Sequence, residues 1–165
     1  MHGAEHISTT LRHETLVSGI SNTVFNGLIA WLLLRAGSNL TLSGEHSFAV
    51  DIAATAFILP FIVTLIVIPL NQRKRAANKV PSIRLDSRFA LESVLLRFPQ
   101  NLWARAFWFG LLTMLLVTPL TLAPLWVLGI HEFTPLAYSV FKGVWAGLMA
   151  AALTTPMLLL ALQES

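Results

Sequence analysis

The chain has 165 residues, of which 55% are hydrophobic and only 12% charged, with a formal net charge of +3 and no cysteine. Such an apolar share is that of a membrane protein rather than a soluble domain, and the missing cysteine excludes disulfide frameworks, thiolate nucleophiles and cysteine metal sites. So short a chain leaves no room for a separate soluble domain beside its spans, so any activity belongs to the helices, their rims or a partner.

A helix needs about 20 mainly apolar residues to cross about 30 Å of hydrocarbon, and four stretches qualify. The first is Val17 to Leu34. It follows "MHGAEHISTTLRHE", expected as a mobile cytoplasmic segment, and is read as a retained helix because Leu34 occupies a position where a cleavable signal needs a small residue. Ser18, Asn22, Asn26 and Ala30 recur within it every four residues. That spacing predicts a packing face and puts two amides near mid-membrane, where they need protein partners.

The second span, Ile52 to Leu70, starts beside Asp51 and contains Pro60 and Pro69. After it, "NQRKRAANKVPSIRLDSRFALESVLLRFPQNLWAR" carries Arg73, Lys74, Arg75, Lys79, Arg84, Arg88, Arg97 and Arg105, eight of the eleven basic residues. Within this loop "RLDSRFALESVLLRF" predicts a short helix from Asp86 or Ser87 with a wide apolar face, lying in the membrane interface. Trp103, Phe107 and Trp108 mark the near boundary of the third span, Ala106 to Leu128, and Trp126 its far end. The fourth span, Leu136 to Leu162, repeats Ser139, Gly143, Gly147, Ala151 and Thr155 every four residues. Such a small-residue stripe lets a neighbouring helix approach closely.

Basic residues in short loops stay in the cytoplasm. This places the loop and both termini inside, makes the basic run a topology signal, and leaves no reason to invoke nucleic acid. The frame Gly-x-His-x-Phe then falls twice on the opposite face, as "GEHSF" at Gly44 and "GIHEF" at Gly129, 85 residues apart. "FNGLIAWLLL" is likewise similar to "FWFGLLTMLLV", and "VIPLNQ" to "LLALQE". The expected architecture is all-α, a single domain of four transmembrane helices built as two parallel-repeat hairpins. Repeat 1 covers about 14–72, the cytoplasmic loop 73–103, and repeat 2 about 104–163. Two halves in this sense are related by a pseudo-twofold axis along the membrane normal.

The stretch "FGLLTMLLVTPLTLAPLWVLGIHEFTPLAYSVFKGVWAGLMAAALTTPMLLLAL" resembles small bacterial two-helix inner-membrane proteins known as a domain of unknown function. The matching features are small and polar residues in the first helix, the turn glycine, Lys142, Trp145, Ala146 and Pro156. Residues 16–72 fit as a diverged copy with Asp51 in place of the basic residue. The resemblance implies a compact helical hairpin repeated in tandem and a multi-pass protein of the bacterial inner membrane. It implies no activity.

Asp51 and Lys142 each lie 21 residues before a closing glutamine, Gln72 or Gln163. Equivalent depth and opposite charge predict an inter-repeat ion pair near the outer face, with Glu45, His46, His131 and Glu132 as its mouth. Two imidazoles and two carboxylates would suffice for a divalent ion if the turns met, but histidines in glycine turns read as solvated or capping residues, and no metal or cofactor is assigned. No phosphate cradle, nucleophile elbow or metalloprotease motif is present, so no enzyme is expected. Two readings follow. One is a permease-like transporter or channel with Asn22, Asn26, Asp51 and Lys142 lining a polar pathway, acting as a homo-oligomer in the lipid bilayer. The other is a structural or regulatory subunit that binds another membrane protein.

Overall fold

The structure, a computed structural model, describes residues 2–80, 82, 83, 86 and 88–163, with side chains from Thr9 onward. It is helical nearly throughout: α1 (His2–Leu34), α2 (Phe48–Ala76), α3 (Ala90–Leu95), α4 (Leu102–Val127) and α5 (Pro135–Leu162), with two-residue strands β1 (Leu40–Thr41) and β2 (Glu132–Phe133). Four of the helices are long and apolar enough to cross a membrane, over Thr9–Leu34, Phe48–Ala76, Leu102–Val127 and Pro135–Leu162. The chain is thus an all-α, multi-pass membrane protein.

Caps fix where the spans begin. Ser47 accepts a hydrogen bond from the Val50 amide, Thr134 from that of Ala137, and Asn101 from those of Trp103 and Ala104, each satisfying amides that a helix start leaves free. Pro135 follows at the first position of α5, where its missing N–H costs nothing. Pro60, Pro69, Pro119, Pro124 and Pro156 lie inside helices that nevertheless continue.

The helices do not pack in chain order. The extensive contacts are α1 with α5, α2 with α4, and α2 with α5, so α2 and α5 form a central pair flanked by α4 and α1. The expected compact hairpin is therefore corrected: neither hairpin's own two spans run packed along each other. In α1 and α5 rising residue numbers meet falling ones, Gly19 near Ala151 and Gly27 near Ser139. The same holds for α2 and α4, Phe57 near Phe107 and Phe61 near Trp103. Both flanking pairs are antiparallel. Exchanging α1 with α4 and α2 with α5 maps this contact pattern onto itself.

The reason lies in the small residues. A Cβ on Gly143 would sit 2.8 Å from the Thr23 carbonyl and 3.0 Å from the Gly27 Cα, and one on Gly147 would sit 2.7 Å from the Gly19 carbonyl and collide with Thr23 Oγ1. Gly110 plays the same part between α4 and α2, where a Cβ would stand 2.8 Å from the Phe57 carbonyl. In lipid, where apolar faces gain nothing by leaving the solvent, such backbone approach decides which helices associate. The α5 stripe Ser139, Gly143, Gly147 and Ala151 meets α1 as its spacing predicts, with Thr155 half-buried one turn on. The α1 face is Gly19, Thr23 and Gly27, one residue round from the expected Ser18, Asn22 and Asn26.

Two further expectations change. The segment before the first span is helical, α1 running unbroken from His2, about 50 Å in all at 1.5 Å per residue and so longer than the hydrocarbon it crosses. The loop helix is only Ala90–Leu95; Leu85 and Ser87 lie outside the described residues. It starts late because Asp86 turns back on the chain, its carboxylate accepting from the Arg88 amide and guanidinium while Glu92 accepts from the Asp86 amide. The Arg88 guanidinium holds the Asp86 carboxyl below its usual range. Leu95 is buried against α2, α4 and α5 with Val63, Ile68, Phe109, Met157, Leu160 and Ala161, so α3 seals one end of the helix layer instead of lying free on it. Ile83 hydrogen-bonds the Leu162 carbonyl at the same end.

Candidate functional site

At the other end the two turns meet. Leu40 pairs with Phe133 and Thr41 with Glu132 in an antiparallel ladder, and the motif phenylalanines pack edge to face, Phe48 on Phe133 at 5.1 Å between ring centroids. The two Gly-x-His-x-Phe frames are not structurally equivalent. In the first, Ser47 caps α2 and Phe48 opens it, whereas in the second Phe133 ends the strand and Thr134 caps α5. Both glycines take positive φ, 116° at Gly44 and 72° at Gly129, the conformation that explains their presence in turns.

Directly beneath the ladder Lys142 Nζ reaches Asp51 at 2.8 Å and 2.6 Å, one distance to each carboxylate oxygen. Asp51 lies in the first turn of α2, where a negative charge is favoured by the helix dipole. Lys142 lies two turns into α5. The lysine side chain is 14% exposed and the aspartate 38%, so the pair is sunk below the rim yet open on the carboxylate side. Tyr138, fully buried, donates its hydroxyl to the same carboxylate. It is the only tyrosine in the chain and stands four residues before Lys142, one helical turn away and hence on the same face. That offset is the signal by which the sequence could have revealed it.

These residues form the floor of a pocket of about 180 Å³ at the α1–α2–α5 junction, walled by Ala30, Leu33, Leu34 and Leu40 and rimmed by Glu45, His46 and Ser47. Of the four expected mouth residues the structure brings only Glu45 and His46 to it. Glu132 accepts from Asn39 at 2.8 Å, and the His131 backbone carbonyl accepts from Leu42; the strand pairing holds both residues outside. Among the described residues no three His, Asp or Glu side chains come together as a metal site would require.

Asn22 and Asn26 do not join the site. Their amide groups donate to the Ser18 and Asn22 carbonyls of their own helix, at 2.8 and 3.0 Å, so the expected polar lining is corrected. Below the ion pair the central seam is apolar and closed, with Ile52, Ala56, Ala146 and Ala150 buried. Thr64 and Thr154 lie deeper and bond carbonyls of their own helices. The pocket is blind.

Comparison with family models, with curated proteins and with solved structures finds no match for this chain.

Proposed function

We propose that the protein is a non-catalytic carrier for a small solute, whose binding position at the ladder end is the Asp51–Lys142–Tyr138 pocket. The carrying observation is a pocket open on one side only, with a paired cation and anion at its floor and a closed apolar seam beneath. A channel needs a continuous polar passage, whereas a carrier exposes its site to one side at a time. A floor offering both charges suits a small zwitterion, whose carboxylate would take Lys142 and whose ammonium would take Asp51.

Several finer points belong to the same reading. The symmetric contact pattern supports a tandem duplication of a two-helix unit, in keeping with the resemblance to small bacterial inner-membrane proteins. The basic end, where Arg73, Lys74, Arg75 and Lys79 gather, would be cytoplasmic with both termini, and the pocket would face outward. Four helices enclose little volume, so the carrier would work as a homo-oligomer. The test is melting of the purified protein with glycine as probe, followed by glycine flux in proteoliposomes. A rise in melting temperature that Lys142→Met removes, with flux lost in the same variant, supports the carrier; no rise and no flux sinks it.

A second reading, a subunit that binds another membrane protein, is favoured by α1, whose Ile20, Phe25, Ile29 and Leu33 are exposed apolar groups around a helix held mainly by α5. A stoichiometric foreign membrane protein retained through purification in mild detergent would favour it over autonomous transport.

A further inference from the structure

A groove of about 520 Å³ opens between α4 and α5, and its walls are almost wholly apolar. It exists because these two helices, though joined by the second turn, pack along α2 more than along each other, touching at the groove's ladder end where Trp145 Nε1 donates to Thr121 Oγ1 at 3.0 Å. Along α4 it runs from Phe109 to Thr121, and along α5 from Trp145 to Pro156. At 1.5 Å per residue that is about 18 Å and about 16 Å. A transmembrane helix needs about 30 Å, and α3 lines the groove's basic end with Leu91, Val94, Leu95 and Phe98. The length is that of one leaflet, which suits an acyl chain and not a spanning helix.

Charge identifies the lipid. Arg97 is exposed, directly precedes Phe98 at the groove's floor, and forms no ion pair among the described residues. Arg88, at the other side of α3, is already paired with Asp86. Trp103 and Trp108 stand exposed near the start of α4, at the level where aromatic rings meet headgroups.

We infer that the groove is a binding site for one anionic phospholipid of the leaflet at the basic end, its acyl chain between α4 and α5 and its phosphate at Arg97. The site is independent of the ladder-end pocket and holds whether or not that pocket carries a solute. It makes α3 a headgroup shelf, with its apolar residues facing the chain and its flanking arginine facing the phosphate.

The test is native mass spectrometry of the full chain released from mixed micelles of phosphatidylglycerol and phosphatidylcholine in equal amounts. The expected result is one retained phosphatidylglycerol per chain, with the preference over phosphatidylcholine falling about fivefold in Arg97→Gln, the factor for one basic group at an anionic surface. Arg12→Gln, an equal charge loss on exposed α1, should leave it unchanged. Leu116→Trp, which fills the groove from an exposed position and so spares the fold, should reduce retention of both lipids. Equal effects of the two arginine changes, or full retention in Leu116→Trp, would overturn the site. So would a second copy of the chain cross-linking through the groove in place of lipid.

Discussion

Gly27 and Gly143 face each other so closely that a single added methyl on Gly143 would lie 3.0 Å from the Gly27 Cα. This contact, with Gly147 one turn further along, is how α1 is held. Gly147→Val should therefore detach α1 and lower stability by about 1–3 kcal/mol, the usual cost of overpacking. The measurement is the detergent melting curve together with protease cleavage near Thr15. Val144→Ile, on the same helix but exposed, should change neither, and an unchanged Gly147→Val would mean that α1 is held by other contacts.

Removal of Lys142 leaves the half-exposed carboxylate of Asp51 with Tyr138 as its one remaining partner among the described residues. A double-mutant cycle of Asp51→Asn and Lys142→Met should give a coupling of about 1–3 kcal/mol. The swapped pair, Asp51→Lys with Lys142→Asp, should recover only part of it, because the Tyr138 hydroxyl would then lie beside an ammonium that cannot accept its proton. Full additivity of the two single changes would show that the charges do not depend on each other.

Tyr138→Phe isolates that hydroxyl. A hydrogen bond to a charged group contributes about 1.5–3 kcal/mol, and the ring's contacts with Phe48, Phe133 and Phe141 are kept. Stability should fall by no more than this amount, while any glycine-induced melting shift should weaken through a looser Asp51. An unchanged stability in Tyr138→Phe beside a large loss in Tyr138→Ala would assign the tyrosine to packing alone.

Orientation can be read with the cysteine-free chain itself. Ala77→Cys at the basic end and Ser43→Cys beside the ladder are both exposed positions. In spheroplasts an impermeant thiol reagent should label Ser43→Cys directly and Ala77→Cys only after permeabilisation. The reverse pattern would turn the molecule over.

The cap of α4 offers a further test of how the basic end is built. Asn101→Ala should cost about 0.5–2 kcal/mol, whereas Asn101→Asp should keep the cap and add a favourable charge at the helix start. Equal melting of both variants would mean that Arg105, bonded to the Pro99 carbonyl and the Gln100 amide, suffices to fix this corner.

Much of this was legible before any coordinates. Spans follow from long apolar runs, and the Lys142–Asp51 pair from the cost of leaving either charge alone in lipid. Helix partners were harder. A shift of one residue turns a helical face by about 100°, so Ser18, Asn22 and Asn26 looked as regular a stripe as Gly19, Thr23 and Gly27. The choice rested on backbone approach, which glycine permits and asparagine does not. Tyr138 escaped notice because a tyrosine in an apolar helix reads as bulk until its hydroxyl has a partner. Which hairpin helix meets which was invisible in the spacing, since short turns suggest self-packing that the glycine faces override.

The crossed arrangement also has a consequence for biosynthesis. When α1 and α2 enter the bilayer, the surfaces that each will use are still unmade: α1 waits for α5 and α2 for both α4 and α5. The first pair of spans must therefore wait unassembled until α4 is synthesised and gives α2 its first partner, and α1 stays without its own until α5 follows. A ribosome stalled within the loop between α2 and α4 would leave behind two inserted helices with nothing to hold them.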